Sequence, residues 1–326
     1  MSTLSSLRRR KPAKEGKERT QSGWVASQLI LFNSRRKWGL LYSLATVAGL
    51  LCVPGVMQGM ASDPDVFRVI QRTAPLPAIS LLIAIGMYIL NDLVDADLDR
   101  ANGKKRPIPS GQVSKKQAAV FIVSTSGLAI ILSAVTLNGI SLLLVMPMMA
   151  IGIMYSAPRI ALMDRFIVKT LSISAFYAIC ALLGITSTYG IELALENPVA
   201  PVYSMTLLGI MIFISSTLND LGDIDGDRAA KRRTIPVVIG AKATIRLLVL
   251  LATGMIATSL ATYESIGPIS VALSSLFALL VISRLKKIGD GVARLDAEVI
   301  RIQHKRIFPL HMLLQLLLVV SAVIVI

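Results

Sequence analysis

The sequence predicts an all-α membrane protein whose helices cross the bilayer many times. Two observations support this fold class. Of the 326 residues, 54% are hydrophobic and only 16% are charged, whereas a soluble domain carries about 25% charged residues. Apolar runs of about 20 residues recur along the chain, and a helix of that length crosses the hydrocarbon core of a bilayer. We therefore expect a polytopic helical bundle.

Nine apolar runs are long enough to be membrane spans. Ahead of them, residues 1–34 form a basic tail that we expect to be disordered, with a short interfacial helix near residues 24–32. The transmembrane domain then occupies residues 35–326. Ser114 and Gln117 have the spacing of a capping box at the start of the third span. The predicted spans lie near residues 38–57, 75–94, 117–137, 139–156, 168–189, 201–221, 243–262, 267–284 and 307–326.

The distribution of basic residues predicts the orientation of this protein in the membrane. With nine spans, 32 of the 34 Lys and Arg residues lie in the N-terminal segment or beside the loops that follow spans two, four, six and eight. Only Arg68 and Arg72 lie on the other side. Cytoplasmic loops carry such an excess of positive charge, so we expect a cytoplasmic N-terminus and an external C-terminus. This pattern also explains the net charge of +15 without nucleic acid as a partner.

A nine-residue motif occurs twice, each time at the cytoplasmic end of an apolar run. Residues 91–99 read N-D-L-V-D-A-D-L-D, and residues 219–227 read N-D-L-G-D-I-D-G-D. The Asn, the first Leu and all four Asp residues take the same places in both copies. Carboxylates are costly at the edge of a membrane span and need partners. A matched pair of such motifs at one membrane face therefore indicates a functional site.

The spacing within each copy suits a metal ion. On a regular helix, with about 100° per residue, the first, second and fourth Asp residues share one face. The third Asp of each copy, Asp97 and Asp225, points elsewhere. Carboxylates gathered in one cavity repel each other unless cations lie among them, and Mg²⁺ prefers a few carboxylates, water and phosphate oxygens. The residues that share a face are Asp92, Asp95 and Asp99, bordered by Asn91, and Asp220, Asp223 and Asp227, bordered by Asn219.

Basic residues follow both motifs, at Lys104, Lys105 and Arg106 and again at residues 231–233. Such side chains neutralise phosphate groups, although basic runs at membrane edges are also the ordinary signal of topology. Acidic metal ligands beside basic clusters are typical of a diphosphate site. With two metal ions, diphosphate becomes a good leaving group.

Taken together, these motifs resemble the UbiA-type intramembrane prenyltransferases. The first copy is similar to the family signature N-D-x-x-D-x-x-x-D. Asp223 and Asp227 are similar to its second D-x-x-x-D motif, with Asp220 upstream. The R-P-I-P-S-G of residues 106–111, the G-D-R and T-I-P-V that follow the second copy, and Tyr155-Ser156 also match. The first span departs from the family pattern, because residues 33–38 read N-S-R-R-K-W.

The resemblance implies nine transmembrane helices around a central cavity, with cytoplasmic loops that cap it. It also implies Mg²⁺-dependent transfer of a polyprenyl group from an allylic diphosphate, with two ions expected. The carboxylates Asp92, Asp95, Asp223 and Asp227, together with Tyr155, are then the catalytic candidates, and Ser156 lies near the reacting carbon. One ion is assigned to the first copy with Asn91, and the other to the second copy. The candidate phosphate contacts are Lys104, Arg106, Arg228 and Arg233.

The acceptor is left open by the motifs. The residues that follow the two copies are most similar to the corresponding residues of one branch of the family. That branch contains the archaeal geranylgeranylglyceryl phosphate geranylgeranyltransferases and the chlorophyll synthases. We therefore expect a lipid acceptor, geranylgeranylglyceryl phosphate, with an aromatic acceptor of quinone or chlorophyll synthesis as the alternative. A divalent-cation carrier is a remote alternative, because it requires acidic residues near the bilayer midplane, where the predicted spans carry none.

Overall fold

The computed structural model describes residues 22–101, 105–293 and 305–324, and every regular element in these ranges is a helix. The expectation of an all-α fold is confirmed. The basic tail, apart from its last residues, lies outside the described ranges. The helices are α1 (Trp24–Leu51), α2 (Val56–Ser62), α3 (Val66–Thr73), α4 (Pro75–Val94), α5 (Ala96–Ala101), α6 (Lys115–Val135), α7 (Gly139–Ser156), α8 (Phe166–Ile185), α9 (Ile191–Glu196), α10 (Val199–Gly222), α11 (Ile224–Ala229), α12 (Ile235–Ile239), α13 (Ala241–Ala261), α14 (Tyr263–Ala293) and α15 (Phe308–Ile324).

Long apolar helices dominate the described part of the chain. Seven are long and apolar enough to cross a membrane, or eight if the bent pair α1 and α2 counts as one span. The apolar segment Pro309–Val323 within α15 is shorter. Many large apolar side chains on α6, α7 and α14 are exposed, and a bundle surrounded by lipid has no need to bury them. The protein is therefore an integral, multi-pass membrane protein.

Two helices, α1 and α14, differ in extent from the predicted segments. The separate interfacial helix expected near residues 24–32 is instead the first part of α1, which has no proline to interrupt it. After Leu51 the chain bends by 81° into α2, so the predicted first span ends early. The eighth span begins at a break in α14, where Gly267 has a φ of 74° and precedes Pro268. The predicted capping box at Ser114 and Gln117 is present.

Close packing of α1 against α8 fixes the centre of the bundle. A methyl group on Gly49 would overlap the carbonyl oxygen of Ala181, and one on Gly184 would overlap that of Thr46. The two backbones therefore touch, as small residues allow between membrane helices. Helix α10 also packs against α8. It is largely buried, because 16 of its 24 residues lie inside the bundle. These contacts hold the ends of α4, α8 and α10 at one face of the bundle.

We predict that Gly184→Val lowers the thermal stability of the detergent-solubilised protein, because its side chain forces α8 away from α1. Overpacking of this kind costs about 1–3 kcal/mol. The matched control is Gly254→Val in α13, where no atom lies within 4 Å of an added Cβ. Thermal unfolding followed by scanning fluorimetry measures both variants. Equal midpoints would contradict the close approach of α1 and α8.

Candidate active site

A cavity of about 90 Å³ opens among α1, α4, α7 and α8. Its walls are mostly apolar and aromatic. The ring of Tyr42 packs edge-on against Phe176, with ring centroids 5.1 Å apart, and lies 6.3 Å from the ring of Tyr88. The cavity thus offers an apolar site that ends at the amide of Asn91. Its lining residues are Tyr42, Ala84, Met87, Tyr88, Asn91, Ile151, Gly152, Tyr155, Ser172, Ile173 and Phe176.

The first acidic motif lies at the end of α4, next to this cavity. The helix stops at Val94, and Asp95 leaves helical geometry with a ψ of 2° before α5 begins. The side chains of Asp92, Asp95 and Asp99 are nevertheless all buried, whereas Asp97 is exposed. The predicted division between inward and outward carboxylates therefore holds here, despite the break between the two helices.

Two arginines neutralise the buried carboxylates of the first motif. Arg35 of α1 forms a two-pronged ion pair with Asp92, and its Nε lies 2.8 Å from Oδ2. Arg106 donates from Nη1 to Asp92 Oδ1 at 2.8 Å and to Asp99 Oδ2 at 2.7 Å. Because one nitrogen reaches both carboxylates, Asp92 and Asp99 face the same point. A divalent cation at that point would meet the same two oxygens.

The second acidic motif lies at the end of α10 and the start of α11. Asp220 and Asp227 are buried, and the Oδ2 atom of each has no hydrogen-bond partner among the described residues. Lys169 of α8 forms an ion pair with the Oδ1 atom of Asp220. Burial raises the pKa of Asp227, and the charge of Lys169 acts in the opposite direction. The predicted ligand Asp223 differs, because the chain turns at this residue and leaves it exposed.

A single arginine joins the two motifs across the site. Arg232, which follows the second motif, donates from Nη2 to Asp95 Oδ2 of the first motif at 3.0 Å. Its Nε also lies 3.2 Å from Asp164 Oδ1, in the 3-10 helix between α7 and α8. Tyr155, on the cavity wall, lies within electrostatic range of both Asp220 and Asp95. The two acidic helix ends therefore meet at one mouth of one cavity.

The remaining predicted residues divide between this mouth and the surface. Ser156 is buried, and its hydroxyl has no partner among the described residues. Asn91 lines the cavity and lies 3.4 Å from Asp95 Oδ2. In contrast, Arg228 pairs with the exposed Asp225. The side chain of Arg233 is also exposed. Lys104 lies outside the described residues.

The donor set suits a magnesium ion that a substrate completes. In the described ranges, no three His, Cys, Asp or Glu side chains lie close enough to hold a metal by themselves. Mg²⁺ in phosphate-transfer sites often uses only one or two carboxylates, with water and phosphate oxygens as the other ligands. The unpartnered buried oxygens of Asp220 and Asp227 fit this role, since a buried carboxylate oxygen without a partner is costly.

Comparison with known proteins agrees with this geometry. The model of the UbiA prenyltransferase family matches residues 50–297, a segment that contains both acidic motifs. The chain belongs to the UbiA prenyltransferase family. It is therefore an enzyme that transfers prenyl groups.

The proteins that this chain resembles include synthases of known name and a solved homologue. A digeranylgeranylglyceryl phosphate synthase of Methanoculleus marisnigri is 28% identical over 221 residues, which cover 66% of this chain and 72% of the relative. One of Natronomonas pharaonis is 30% identical over 60% of this chain, and this alignment spans 65% of that relative, just under two thirds of its length. A UbiA homologue from Archaeoglobus fulgidus, solved with GPP and Mg²⁺, matches the fold with a TM-score of 0.65 over 92% of this chain and 99% of that one, at 16% identity.

Sequence reasoning missed four charged residues that lie at this UbiA-family site. In the sequence analysis, Arg35 and Lys169 belong only to the basic residues that predict topology. Arg232 appears only within the basic run at residues 231–233. Asp164 had no role. The sequence held one usable signal, since Arg35 stands where the first span departs from the family pattern. The three missed cations are 51, 57 and 137 residues distant in sequence from the carboxylates that they pair with, so spacing could not identify them.

We predict that Arg232→Met destabilises the protein by about 1–3 kcal/mol, because it leaves the buried carboxylate of Asp95 without its ion-pair partner. The neighbouring variant Arg233→Met provides the control, since the Arg233 side chain is exposed. Thermal unfolding in detergent without divalent cations compares the two. A smaller loss of stability for Arg232→Met than for Arg233→Met would argue against a bridge between the motifs.

Proposed function

We propose that this enzyme transfers a geranylgeranyl group from geranylgeranyl diphosphate to the free hydroxyl of (S)-3-O-geranylgeranylglyceryl phosphate. The observation that carries the proposal is the apolar cavity that ends between two buried acidic motifs. A prenyl chain suits the cavity, and a metal-bound diphosphate suits its mouth. The acceptor is inferred from the digeranylgeranylglyceryl phosphate synthases that the chain resembles.

The ligand assignment follows the two motifs. We infer two Mg²⁺ ions, whose charge makes diphosphate a better leaving group. The first ion is assigned to Asn91, Asp92, Asp95 and Asp99, and the second to Asp220, Asp223 and Asp227. Support for magnesium comes from the Archaeoglobus fulgidus homologue solved with Mg²⁺. The exposed Asp223 then faces the side from which the substrate arrives.

The basic residues exchange partners when the substrate binds. Arg106 pairs with Asp92 and Asp99 and would be free to turn to the diphosphate if metal ions occupied those carboxylates. Lys104, Arg228 and Arg233 are further candidate contacts from the two loops. Such contacts strengthen as charge develops on the departing oxygen, which is the condition for catalysis.

The cavity protects the reacting carbon. When the bond between C1 and the diphosphate oxygen breaks, its electron pair leaves with diphosphate and C1 becomes an allylic cation. Apolar and aromatic walls at Tyr42, Tyr88 and Phe176 exclude the water that would quench this cation. Tyr155 and Ser156 border the position of C1. The acceptor oxygen then forms its bond to C1, and its proton passes to the released diphosphate.

The proposal is tested by an assay with geranylgeranyl diphosphate and Mg²⁺. We expect the purified enzyme to convert geranylgeranylglyceryl phosphate to a product that is heavier by one geranylgeranyl group, as read by mass spectrometry. Removal of Mg²⁺ by a chelator should abolish the reaction. Asp92→Asn and Asp220→Asn should lower kcat by at least about 100-fold, as the loss of charge-stabilising groups does elsewhere.

Matched controls come from the same motifs. Asp97→Asn and Asp225→Asn change exposed carboxylates whose ion pairs among the described residues are with nearby surface cations, and both variants should keep wild-type turnover. Prenylation of 4-hydroxybenzoate or a naphthoate, with no turnover of the glyceryl phosphate, would replace our acceptor with an aromatic one. Equal turnover by Asp92→Asn and the wild type would contradict the ligand assignment.

We further propose that residues 35–326 form one transmembrane domain of nine spans behind a basic tail, with the N-terminus and both motifs cytoplasmic and the C-terminus external. Nine spans are reached if the bent pair α1 and α2 and the shorter α15 each count as a span. The bias of the basic residues supports the orientation.

This orientation predicts the labelling of two introduced cysteines. Ser110→Cys lies in the loop after the first motif, and Glu196→Cys lies at the end of α9 on the opposite side; both positions are exposed. The native Cys52 and Cys180 are buried and should not react. In intact cells, a membrane-impermeant maleimide should label Glu196→Cys and spare Ser110→Cys. The reverse pattern would overturn the proposed orientation.

A further inference from the structure

Lys169 occupies a position that the two acidic motifs do not explain. It lies in the first turn of α8, three, four and seven residues before Ser172, Ile173 and Phe176, which line the cavity. These spacings place all four residues on one face of the helix. Lys169 therefore continues the cavity wall by one turn, towards the end of the bundle where the motifs meet. Only 12% of its side chain is exposed.

Lys169 faces two buried carboxylates with a single positive charge. Its ammonium group pairs with Asp220 and acts at longer range on Asp227. Both carboxylates still keep a buried oxygen without a hydrogen-bond partner among the described residues. The ammonium group thus only partly compensates for the two acids. The arrangement is suited to accept a cation, after which Lys169 itself needs a new anion.

We propose that this new anion is the diphosphate group, and that Lys169 binds it in both the donor and the product. This inference rests on the proposed function. If Asp220 coordinated a divalent cation, the nearly buried Lys169 ammonium group would need another anionic partner, because an unpaired buried charge is strongly destabilising. A diphosphate at the mouth of the cavity is the anion within reach. Lysine supplies three donors on a flexible stem for such a group.

In the chemical step, Lys169 would stabilise the negative charge that develops on the departing diphosphate. As the bond from C1 to the diphosphate oxygen breaks, the electron pair moves to that oxygen and its negative charge grows. The Lys169 ammonium group donates a hydrogen bond to the diphosphate throughout and keeps its proton. The contact becomes stronger as the charge develops, so it favours the transition state over the bound donor.

The test measures binding of inorganic diphosphate, in the presence of Mg²⁺, to the purified full-length protein by calorimetry. We expect Lys169→Met to weaken binding by roughly tenfold or more, as the loss of a charge-assisted hydrogen bond does. Lys169→Arg should restore most of the affinity. Lys116→Met is the matched control, because Lys116 is exposed in the first turn of α6, and it should bind like the wild type.

A purely structural ion pair gives a different result. If Lys169 served only to hold Asp220, Lys169→Met would lower thermal stability and leave the affinity for diphosphate within about twofold of the wild-type value, and that outcome overturns the inference. Turnover adds a second readout, since kcat should fall in Lys169→Met while the KM for the acceptor stays unchanged. Lys169→Gln repeats both measurements if the Met variant does not fold. Wild-type protein that binds no diphosphate with Mg²⁺ would overturn the proposed function as well.

Discussion

Buried carboxylates without enough positive charge are the constraint on which this site depends. Five carboxylates of the two motifs lie inside the bundle at its polar end: Asp92, Asp95, Asp99, Asp220 and Asp227. Charges in such surroundings are costly unless they are paired. Arginine and lysine side chains supply part of that pairing, and one oxygen each of Asp220 and Asp227 has no hydrogen-bond partner among the described residues. The site is therefore prepared for added cations and for the anion that accompanies them.

The fold meets this constraint by ending two apolar helices in the same place. Helices α4 and α10 each stop within their motif, at Val94 and Gly222, and a short second helix follows the turn. The first motif buries Asp92, Asp95 and Asp99 and exposes Asp97, whereas the second motif buries Asp220 and Asp227 and exposes Asp223 and Asp225. The contact of Arg232 with Asp95 then fixes the second loop against the first. Two halves that are far apart in sequence become one site.

The cavity and the charged mouth have separate physical roles. The aromatic and aliphatic wall offers an isoprenoid chain an environment like the lipid from which it comes, and it keeps water from a reactive carbon. The mouth, in contrast, carries the charged side chains of the two motifs and their cationic partners. Helix α8 connects the two, because its cavity-lining face carries Lys169 one turn above Ser172. Under the proposed function, this face of the helix would set the distance between the apolar chain and its leaving group.

The sequence by itself determined the membrane-spanning helices, the paired motifs and the family, since these depend on local properties: apolar length, residue spacing and a repeated pattern. It also separated the buried Asp92 from the exposed Asp97, because helical periodicity survives the break at Asp95. Only the tertiary structure decided which cations reach the carboxylates. Arg232 rather than Arg233 turns inward after a left-handed residue at Lys231, with a φ of 57°, and Arg35 and Lys169 arrive from other helices. Ion pairs between distant segments depend on how helices pack, and spacing along the chain carries no record of that packing.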